Sequence, residues 1–542
     1  MRNGLSSDLI ARVLGGAPKY TIAQLEEKYP KRDLTDGAMV TRFAPSPTGF
    51  MHIGNLYGMM IDKKLAQQTG GVFYLRIEDT DTKREVSGAI DIILSTGRKF
   101  QLMPDEYTVI DGDDIGNYGP YRQSERRDIY HSVAAQLLTD GKAYPCFLTS
   151  DEMDKIREQQ KAGGFPTGIY GEFARDRNIT EAEITERMDK GEVPSIRLYS
   201  AGNPELRIFC KDAVRGSISF PQNNEDIVII KSNDGLPTYH FAHLVDDRFM
   251  RTTHVVRGEE WLPSLPLHVQ MFNMMEWTPP LYIHTSTLDK IDEQTGKQRK
   301  LSKSKDPEAN VENFSIQGWP LEAVQEYLFN IMASGYEEAK LKGLVKNIWE
   351  WDLKVKKIPS SSALFNIQKL EWWAREFIAT LSVDELARRV TNWAREYDSS
   401  WDSRLRGNDA YLKAILAIER GNPKRIRKDF ITWSQTLEET SYFWDDLFSF
   451  AGENVGGKAG QDSGFEYNKN ALDAFLRGFD ANDDKDVWWN KIVNIATELG
   501  IKNGDVAMNL RVALTGRSNT PDLYSIMQVM GADRVAGRIG RI

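Results

Sequence analysis

The alternation of apolar and polar residues divides the chain into a mixed first part and a helical second part. Short apolar runs at residues 39–43 and 72–77 flank a stretch with helical spacing at residues 53–68. This order of strand, loop, helix and strand is typical of a parallel α/β sheet. Strand-like runs at residues 227–230 and 253–256 indicate that the sheet resumes there. From residue 320 onward apolar residues recur at helical spacing, which predicts an all-helical C-terminal part.

The segments outside this sheet differ in composition. Residues 1–38 are polar with one amphipathic stretch at 20–29, and we interpret them as an appendage. Because the sheet is predicted to begin near Met39, we expect a chain without this appendage to keep its activity. Residues 118–238 mix helical and strand-like runs and predict a separate inserted α+β module. Residues 400–409 and 452–463 have the composition of surface loops.

Composition narrows the class of protein. A length of 542 residues predicts several domains, at about 100–200 residues each. The net charge of −9 excludes a broadly basic nucleic-acid coat, so a nucleic acid would have to dock on local basic patches. No apolar run reaches the roughly 20 residues of a membrane helix, and no signal peptide is evident. With only Cys146 and Cys210, the chain has no disulfide framework, and we expect a cytoplasmic protein.

The first chemical motif lies between the first strand and the first helix, at residues 42–55. Open α/β sheets bind ligands at this carboxyl end of their strands. The helix that begins near Ile53 directs unpaired N–H groups at the loop, which favours a phosphate. His52 can donate to a phosphate oxygen, and Gly54 allows a flat base to lie against the backbone. A capped tight loop is the competing interpretation, but the whole string favours the phosphate site.

The second motif is the acidic string at the end of the second strand. Glu78, Asp79 and Asp81 place three carboxylates within four residues. Anions in a ligand crevice favour a cationic or hydroxylated partner, such as an amine, a sugar or a metal. A solvated turn is the alternative interpretation, and we consider it less favoured.

The third motif is a basic loop at residues 297–305, which places five cations within nine residues. Lysine is a mobile point charge suited to neutralising a phosphate as negative charge develops. Taken alone, this loop would be better explained as a solvated surface or a nucleic-acid contact.

The fourth motif combines residues 237–247 with residues 257–261. Tyr239, His243 and Arg257 lie near strand ends after the inserted module. Arg257 is able to pair with a carboxylate through two parallel hydrogen bonds. Without the other motifs, a surface arginine near a strand end would be an equally good explanation.

Together these motifs resemble class I aminoacyl-tRNA synthetases, specifically glutamyl-tRNA synthetases of bacterial type. The family's HIGH signature is matched by His52-Ile-Gly-Asn55, where Asn55 replaces the second histidine, and its KMSKS loop by Lys300-Leu-Ser-Lys-Ser304. The resemblance runs from about Met39 to the C-terminus and includes residues 510–516 and 522–523.

The resemblance implies an α/β fold in which a Rossmann-type parallel-sheet catalytic domain carries an inserted α+β module and precedes an all-helical C-terminal half. The implied domains are an N-terminal appendage at 1–38, the catalytic domain at 39–117 and 239–290, an acceptor-end-binding insertion at 118–238, a stem-contact domain with the KLSKS loop at 291–375, and a helical anticodon-binding region at 376–542.

The resemblance also assigns roles to individual residues. The implied catalytic residues are His52, Lys300 and Lys303. The implied glutamate-binding residues are Arg42, Ser46, Glu78, Tyr239, His243 and Arg257, with His243 standing where relatives often carry Asn. The implied ATP-binding residues are Thr48, His52, Gly54, Asn55, Lys300 and Lys303. The implied tRNA-binding residues are Trp261, Arg511 and Leu523.

The implied reaction joins L-glutamate to tRNA(Glu) in two steps, through glutamyl-adenylate, with ATP and Mg²⁺ bound to the ATP. No metal is expected in the protein itself. In some relatives the insertion holds zinc through several cysteines, whereas here Cys146 keeps one such position and residues 170–174 have none. We therefore expect no zinc, no membrane partner and, as is usual in the family, a monomer. The basic tract at 424–428 is either a phosphate contact or a solvated helix face.

Several alternatives remain. A glutaminyl-tRNA synthetase is disfavoured by the acidic string at 77–81 and by the helical C-terminal half. A short tRNA-modifying paralogue is disfavoured by the same half, which such proteins lack. A non-catalytic tRNA-binding paralogue is disfavoured by the intact motifs. An enzyme that also charges tRNA(Gln) stays open. Pyrophosphate exchange with glutamate distinguishes an active enzyme from a non-catalytic one.

Overall fold

The computed structural model describes residues 3–81, 86–110, 112–302, 305–421, 426–450 and 465–542. The chain divides into two compact units. One comprises Met1–Glu312 and Leu328–Phe365, and the other Asn313–Tyr327 and Asn366–Ile542. The five domain boundaries implied by the resemblance stay predictions.

The strands of the described chain all lie in the first unit. They are β1 (Val40–Phe43), β2 (Val72–Leu75), β3 (Ala143–Cys146), β4 (Ser195–Leu198), β5 (Arg207–Asp212), β6 (Gly216–Pro221), β7 (Val228–Ile230), β8 (His254–Gly258), β9 (Leu281–Thr285), β10 (Leu288–Ile291), β11 (Gln298–Lys300) and β12 (Ala363–Leu364).

The α-helices are distributed over the two units. They are α1 (Ser7–Leu14), α2 (Ile22–Lys28), α3 (Ile53–Thr69), α4 (Ala89–Lys99), α5 (Arg127–Thr139), α6 (Ser150–Gly163), α7 (Glu181–Asp189), α8 (Tyr239–Phe249), α9 (Leu265–Met274), α10 (Glu312–Ile316), α11 (Leu321–Met332), α12 (Tyr336–Leu341), α13 (Ile367–Thr380), α14 (Val383–Tyr397), α15 (Ser399–Leu405), α16 (Asp409–Ala417), α17 (Trp433–Glu439), α18 (Lys469–Gly478), α19 (Lys485–Leu499), α20 (Asn503–Thr515), α21 (Leu523–Met530) and α22 (Ala532–Ile539).

The predicted parallel sheet is confirmed. Strands β1 and β2 pair in parallel, and so do β8 and β9. The Thr253 N–H donates to the Val40 carbonyl at 3.0 Å and so links the start of β8 to β1. Strand β5 adds to β9 in parallel at Asp212 and forms an antiparallel hairpin with β6. Two strands from within the predicted insertion therefore extend the sheet that carries the first motif.

The run at 227–230 is a strand, but the prediction that the first sheet resumes there was wrong. Strand β7 pairs with β4, which pairs with β3, in a separate antiparallel sheet of three strands. The parallel sheet resumes at β8. Both runs are short and apolar, and only the long-range pairing partners distinguish them.

The N-terminal residues are packed into the first unit. The side chains of α1 and α2 contribute Leu9, Leu14 and Leu25 to the same buried cluster as α5 and α8. The Tyr29 hydroxyl donates to the Gly119 carbonyl at 2.9 Å, and Arg32 forms two hydrogen bonds to one carboxylate, that of Glu106, at 2.7 and 2.8 Å. The segment therefore belongs to the core rather than lying outside it.

The described residues of the second unit form helices and connecting loops, with no strand among them, as expected for the C-terminal region. Polar side chains cap the first turns of several of its helices: Ser382, Thr432, Asp484 and Asp522 each accept a backbone N–H three residues ahead. Such caps satisfy donors that the helix leaves unpaired. Helix α15 occupies most of residues 400–409, so the predicted loop there was wrong, while residues 452–463 lie outside the described residues.

Across the described chain, no helix combines the length and the apolar character needed to cross a membrane.

Candidate active site

A cavity of about 790 Å³ opens at the carboxyl ends of β1, β2 and β8. This is the edge where parallel sheets place their ligands. Of the residues to which the resemblance assigns a role, ten line it: Arg42, Ser46, His52, Gly54, Asn55, Glu78, Tyr239, Arg257, Trp261 and Lys300. Residues from the first, second, third and fourth motifs therefore meet in one place, although as many as 258 positions separate them along the chain.

The start of α3 forms one wall of the cavity. His52 is the N-cap of this helix, and its Nδ1 accepts the Gly54 N–H at 3.0 Å. The hydrogen of the neutral ring therefore lies on Nε2, which makes that nitrogen a donor. A Cβ at residue 54 would lie 3.1 Å from His52 Nδ1, so glycine gives this capping ring its room. The Nε2 donor lies at the positive end of the helix dipole, and this arrangement suits a phosphate.

A buried network of opposite charges lies behind the opposite wall. Arg76 is fully buried and donates to Asp247 at 2.8 Å and to Glu78 at 3.0 Å. Arg42 lies 3.6 Å from Asp247, and its Nε has no hydrogen-bond partner. Burial raises the pKa of Glu78, and the neighbouring Arg76 and Arg42 oppose this shift. Glu78 thus presents a carboxyl group whose charge is supported by two arginines.

The three carboxylates of the acidic string differ in what they contact. Asp79 is buried and accepts hydrogen bonds from the Ser124 N–H and hydroxyl at 2.8 and 2.7 Å and from Arg122 at 3.1 Å. Its carboxylate therefore has a structural role, because it links the acidic string to residues 122–124. Glu78 and Asp81 line the cavity. The acidic motif by itself did not distinguish the three carboxylates, and only the resemblance selected Glu78.

Arg257, on β8, is only 8% exposed and faces the cavity. Its Nε donates to His284 at 2.9 Å, and one terminal nitrogen lies 3.1 Å from His268 Nδ1. The other terminal nitrogen is buried without a hydrogen-bond partner. A buried, unsatisfied guanidinium N–H at the edge of a cavity is a site for an anion.

Tyr239 and Trp261 form an aromatic pair in the cavity wall, with ring centroids 4.4 Å apart. Burial raises the pKa of Tyr239, and the nearby carboxylate of Glu78 adds to this shift, so the phenol keeps its proton. His243 does not line the cavity. It is fully buried one layer behind, with Nε2 2.9 Å from the Tyr282 hydroxyl. Thr48 does not line the cavity either.

The basic loop begins as a hairpin of β10 and β11. Arg299 is held by Asp292 at 2.7 Å and by Asp306 at 2.6 and 2.8 Å, so this cation fixes the base of the loop. Lys300 ends β11, lines the cavity and lies 3.8 Å from Glu260, with its side chain 56% exposed. Lys303 and Ser304 lie outside the described residues.

Some residues of the cavity wall were not predicted. They include Gln123 and Lys231. Lys231 donates to the Thr80 carbonyl at 2.7 Å and to Asp234 at 2.8 Å, which connects the end of β7 to the acidic string. Each is an isolated polar residue next to a strand or a turn, and no local pattern distinguishes such a residue from a surface side chain.

In the second unit, Arg511 is half-buried and donates to the carbonyls of Thr520 and Pro521, both at 2.8 Å. Leu523 is only 3% exposed and packs in the helical core. In the basic tract, Lys428 pairs with Glu376 at 2.8 Å, while Lys424 and Arg425 lie outside the described residues. A role of these residues in tRNA binding stays a prediction.

Purified protein is expected to contain much less than one zinc per chain. Cys146 and Cys210 are both buried, and they lie on strands of different sheets. Within the described ranges no group of three or more His, Cys, Asp or Glu side chains is arranged to hold a metal. Elemental analysis after dialysis against a chelator tests this expectation, and one tightly held zinc per chain would contradict it.

Comparison with known families agrees with this geometry. Residues 38–372 match the model of tRNA synthetases class I (E and Q), catalytic domain, and residues 385–542 match the model of an anticodon binding domain. The fold is therefore that of a class I tRNA synthetase.

Comparison with individual proteins identifies the family more closely. Glutamate–tRNA ligase of Clostridium perfringens is 44% identical over 98% of this chain and 99% of its own length. Glutamate–tRNA ligase of Thermus thermophilus is 34% identical over 93% of this chain and 99% of its own. A crystal structure of a glutamate tRNA ligase from Elizabethkingia meningosepticum in complex with its amino acid matches with a TM-score of 0.72, at 27% identity, over 93% of this chain and 98% of that one. The chain belongs to the glutamate–tRNA ligase family, as its motifs predicted.

Proposed function

We propose that this protein ligates L-glutamate to tRNA(Glu) in two steps, using ATP to form glutamyl-adenylate and then transferring the glutamyl group to the tRNA 3′ end. One observation carries the proposal: a single cavity presents two arginines and a carboxylate at one wall and a histidine-capped helix N-terminus at another. Glutamate has one ammonium and two carboxylate groups, and ATP brings a chain of phosphates. The cavity offers the complementary charge to each of them.

The amino acid would lie between Glu78 and the two arginines. Glu78, with Ser46, would accept hydrogen bonds from the ammonium group. Arg42, Tyr239 and Arg257 would donate to carboxylate oxygens, and Arg257 is the best candidate for the side-chain carboxylate. The buried terminal nitrogen of Arg257 that has no hydrogen-bond partner supports this placement. His243 lies behind the wall, so it would act on the amino acid through its neighbours.

The nucleotide would lie along the start of α3. His52 Nε2 would donate to the phosphates at the positive end of the helix dipole. Gly54 and Asn55 would border the base and ribose, and Thr48 is placed here only by the resemblance. Magnesium would neutralise phosphate charge, and it would be bound mainly through phosphate oxygens and water. Adenylate formation needs no protein nucleophile, because positioning and charge neutralisation lower its barrier.

In the second step, the insertion would hold the acceptor end of the tRNA, and Trp261 would lie beside its terminal nucleotide. Arg511, Leu523 and the helical second unit would contact the anticodon arm, in line with the match to an anticodon binding domain. Arg511 would have to exchange its hydrogen bonds to backbone carbonyls for a base edge. Leu523 would contribute through the surface around its buried side chain.

The experiment that tests the proposed function is charging of separated tRNA(Glu) and tRNA(Gln) with radiolabelled glutamate. We expect glutamate to be attached to tRNA(Glu) in an ATP-dependent reaction. Attachment to both tRNAs would identify an enzyme that also charges tRNA(Gln). If neither tRNA is charged and no pyrophosphate exchange is detected with tRNA present, the proposed function is wrong.

Replacing Lys300 or Lys303 by alanine is expected to slow adenylate formation by about tenfold to a hundredfold. A lysine that acts on charge developing at the pyrophosphate affects the rate more than the affinity for glutamate. The effect is smaller than that of a buried donor because Lys300 is more than half exposed and water screens its charge.

The matched control for this pair is Lys297→Ala, which removes an exposed lysine from the same loop without changing the cavity. Single-turnover formation of glutamyl-tRNA is the measurement. An unchanged rate in both Lys300→Ala and Lys303→Ala, or an equal loss in the control, would refute the assigned role.

A further inference from the structure

The hydrogen-bond partners of Arg257 are uncharged. They are the imidazoles of His284 and His268. Arg76, two strands away, is held instead by carboxylates, those of Asp247 and Glu78. The two buried arginines therefore differ in their partners. Carboxylates of the protein compensate the charge of Arg76, whereas neutral imidazoles hold Arg257 and leave its charge uncompensated.

The orientation of the His284 ring is determined by Asp212. Asp212 Oδ2 accepts from the His284 backbone N–H at 3.0 Å and lies 2.7 Å from Nδ1. A carboxylate can only accept, so the ring hydrogen lies on Nδ1 and Nε2 carries a lone pair. That lone pair is what the Arg257 Nε–H requires. Both side chains are fully buried, so no water replaces either partner.

The same reasoning assigns the position of the ring hydrogen of His268. Arg257 can only donate, so the neighbouring Nδ1 of His268 accepts, and its hydrogen lies on Nε2. That N–H donates to His240 Nδ1 at 2.9 Å. Burial lowers the pKa of His268 and of His284, and lowers that of His240 to about 4, so these rings are neutral near pH 7.

We propose that Asp212 and His284 are positioning residues for amino-acid specificity: they hold Arg257 in place while leaving its positive charge uncompensated, so that the site takes a side-chain carboxylate in preference to an amide. This inference rests on the proposed function. A carboxylate in direct contact with Arg257 would hold it equally well but would neutralise it. An imidazole held by a more distant carboxylate fixes the geometry and leaves the charge for the substrate.

The sharpest test is Asp212→Asn, which changes a single functional group. Asp212 Oδ1 accepts the N–H groups of Val214 and Arg215 at 2.9 and 2.8 Å, while Oδ2 serves His284. An asparagine amide has one accepting and one donating end, so one of these two sets loses its acceptor. If the amide N–H faces His284, the ring hydrogen moves to Nε2 and meets the Arg257 N–H.

We expect Asp212→Asn to raise the KM for glutamate by about tenfold, to leave the KM for ATP within about twofold, and to lower the preference for glutamate over glutamine in kcat/KM by about tenfold. His284→Leu should behave in the same way. His284→Gln, whose amide oxygen is able to accept from Arg257, should recover part of the loss. This recovery is the result that a merely structural role would not give.

Cys210→Ala is the matched control, because it alters a buried side chain of the same strand without touching Arg257 or its partners. It should leave both KM values and the preference unchanged. A glutamate KM within twofold of wild type in Asp212→Asn and His284→Leu would overturn the proposal. A parallel rise of both KM values, with no recovery in His284→Gln, would overturn it as well. Wild-type enzyme that charges no tRNA would refute the proposed function instead.

Discussion

Replacing Arg257 by alanine is expected to raise the KM for glutamate by about a hundredfold or more, while the KM for ATP stays within about threefold. The buried guanidinium is the only group of the cavity wall that we assign to the side-chain carboxylate. Its loss leaves a desolvated carboxylate without its partner, at a cost of about 3–5 kcal/mol, and each 1.4 kcal/mol corresponds to a factor of ten. The nucleotide is affected little because its expected donors lie on α3.

Two further variants sharpen this test. Arg257→Lys keeps a cation but loses the planar fork and the hydrogen bond from Nε to His284, so its glutamate KM should lie between wild type and alanine. Arg207→Ala removes an exposed arginine outside the cavity and should change neither KM. Steady-state charging of tRNA gives both constants. Near-normal glutamate dependence in Arg257→Ala, or loss of ATP binding instead, would show that the arginine serves another ligand.

Removing residues 1–38 is expected to destabilise the first unit so strongly that little folded enzyme remains. The segment buries Leu5, Leu9, Ile10, Leu14, Leu25 and Tyr29. At about 1.5–3 kcal/mol for each large apolar side chain, the loss is comparable to the whole stability of a domain. The truncation also removes Glu26, which pairs with Arg248 and Arg251, both at 2.6 Å, so these two arginines lose their carboxylate partner. This packing reverses our expectation from the sequence that the truncated chain keeps its activity.

A milder version of the same test uses point variants in α2. Leu25→Ala should cost about 2–5 kcal/mol, because it empties a fully buried position, whereas Glu27→Ala on the exposed side should cost little. Thermal denaturation of the full-length variants, followed by activity and by circular dichroism, compares the two. A soluble truncated enzyme with the wild-type melting temperature and charging rate would restore the interpretation of residues 1–38 as an appendage.

The parts of the fold that the sequence predicted are those encoded locally. The runs around β1, α3 and β2 are contiguous, and their apolar spacing indicates both their type and the edge at which ligands bind. The hairpin of β5 and β6 joins the same sheet only through a pairing between Asp212 and Tyr282, which lie 70 positions apart. No local pattern reports such a pairing, and these strands were therefore placed in the insertion.

The candidate site follows the same rule. His52, Glu78 and Arg257 were recognised because each lies in a compact motif next to a predicted strand or helix end. His284 and His268 were missed because each is an isolated histidine whose meaning depends on Asp212 and Arg257 beside it. His243 was assigned to the amino acid because it lies in a motif with Tyr239, but one turn along α8 is enough to place it behind the wall.

The arrangement around Arg257 also constrains how amino-acid preference can change during evolution. Its partners come from separate elements: α9 supplies His268, and β9 supplies His284, which Asp212 on β5 supports. A first substitution that removed the arginine would leave two buried imidazole lone pairs without donors before any new substrate could be bound. A first substitution of His268 or His284 would weaken glutamate binding without creating a site for another amino acid. Each of these single substitutions therefore weakens the site, so we expect a shift to another amino acid to require several coupled changes.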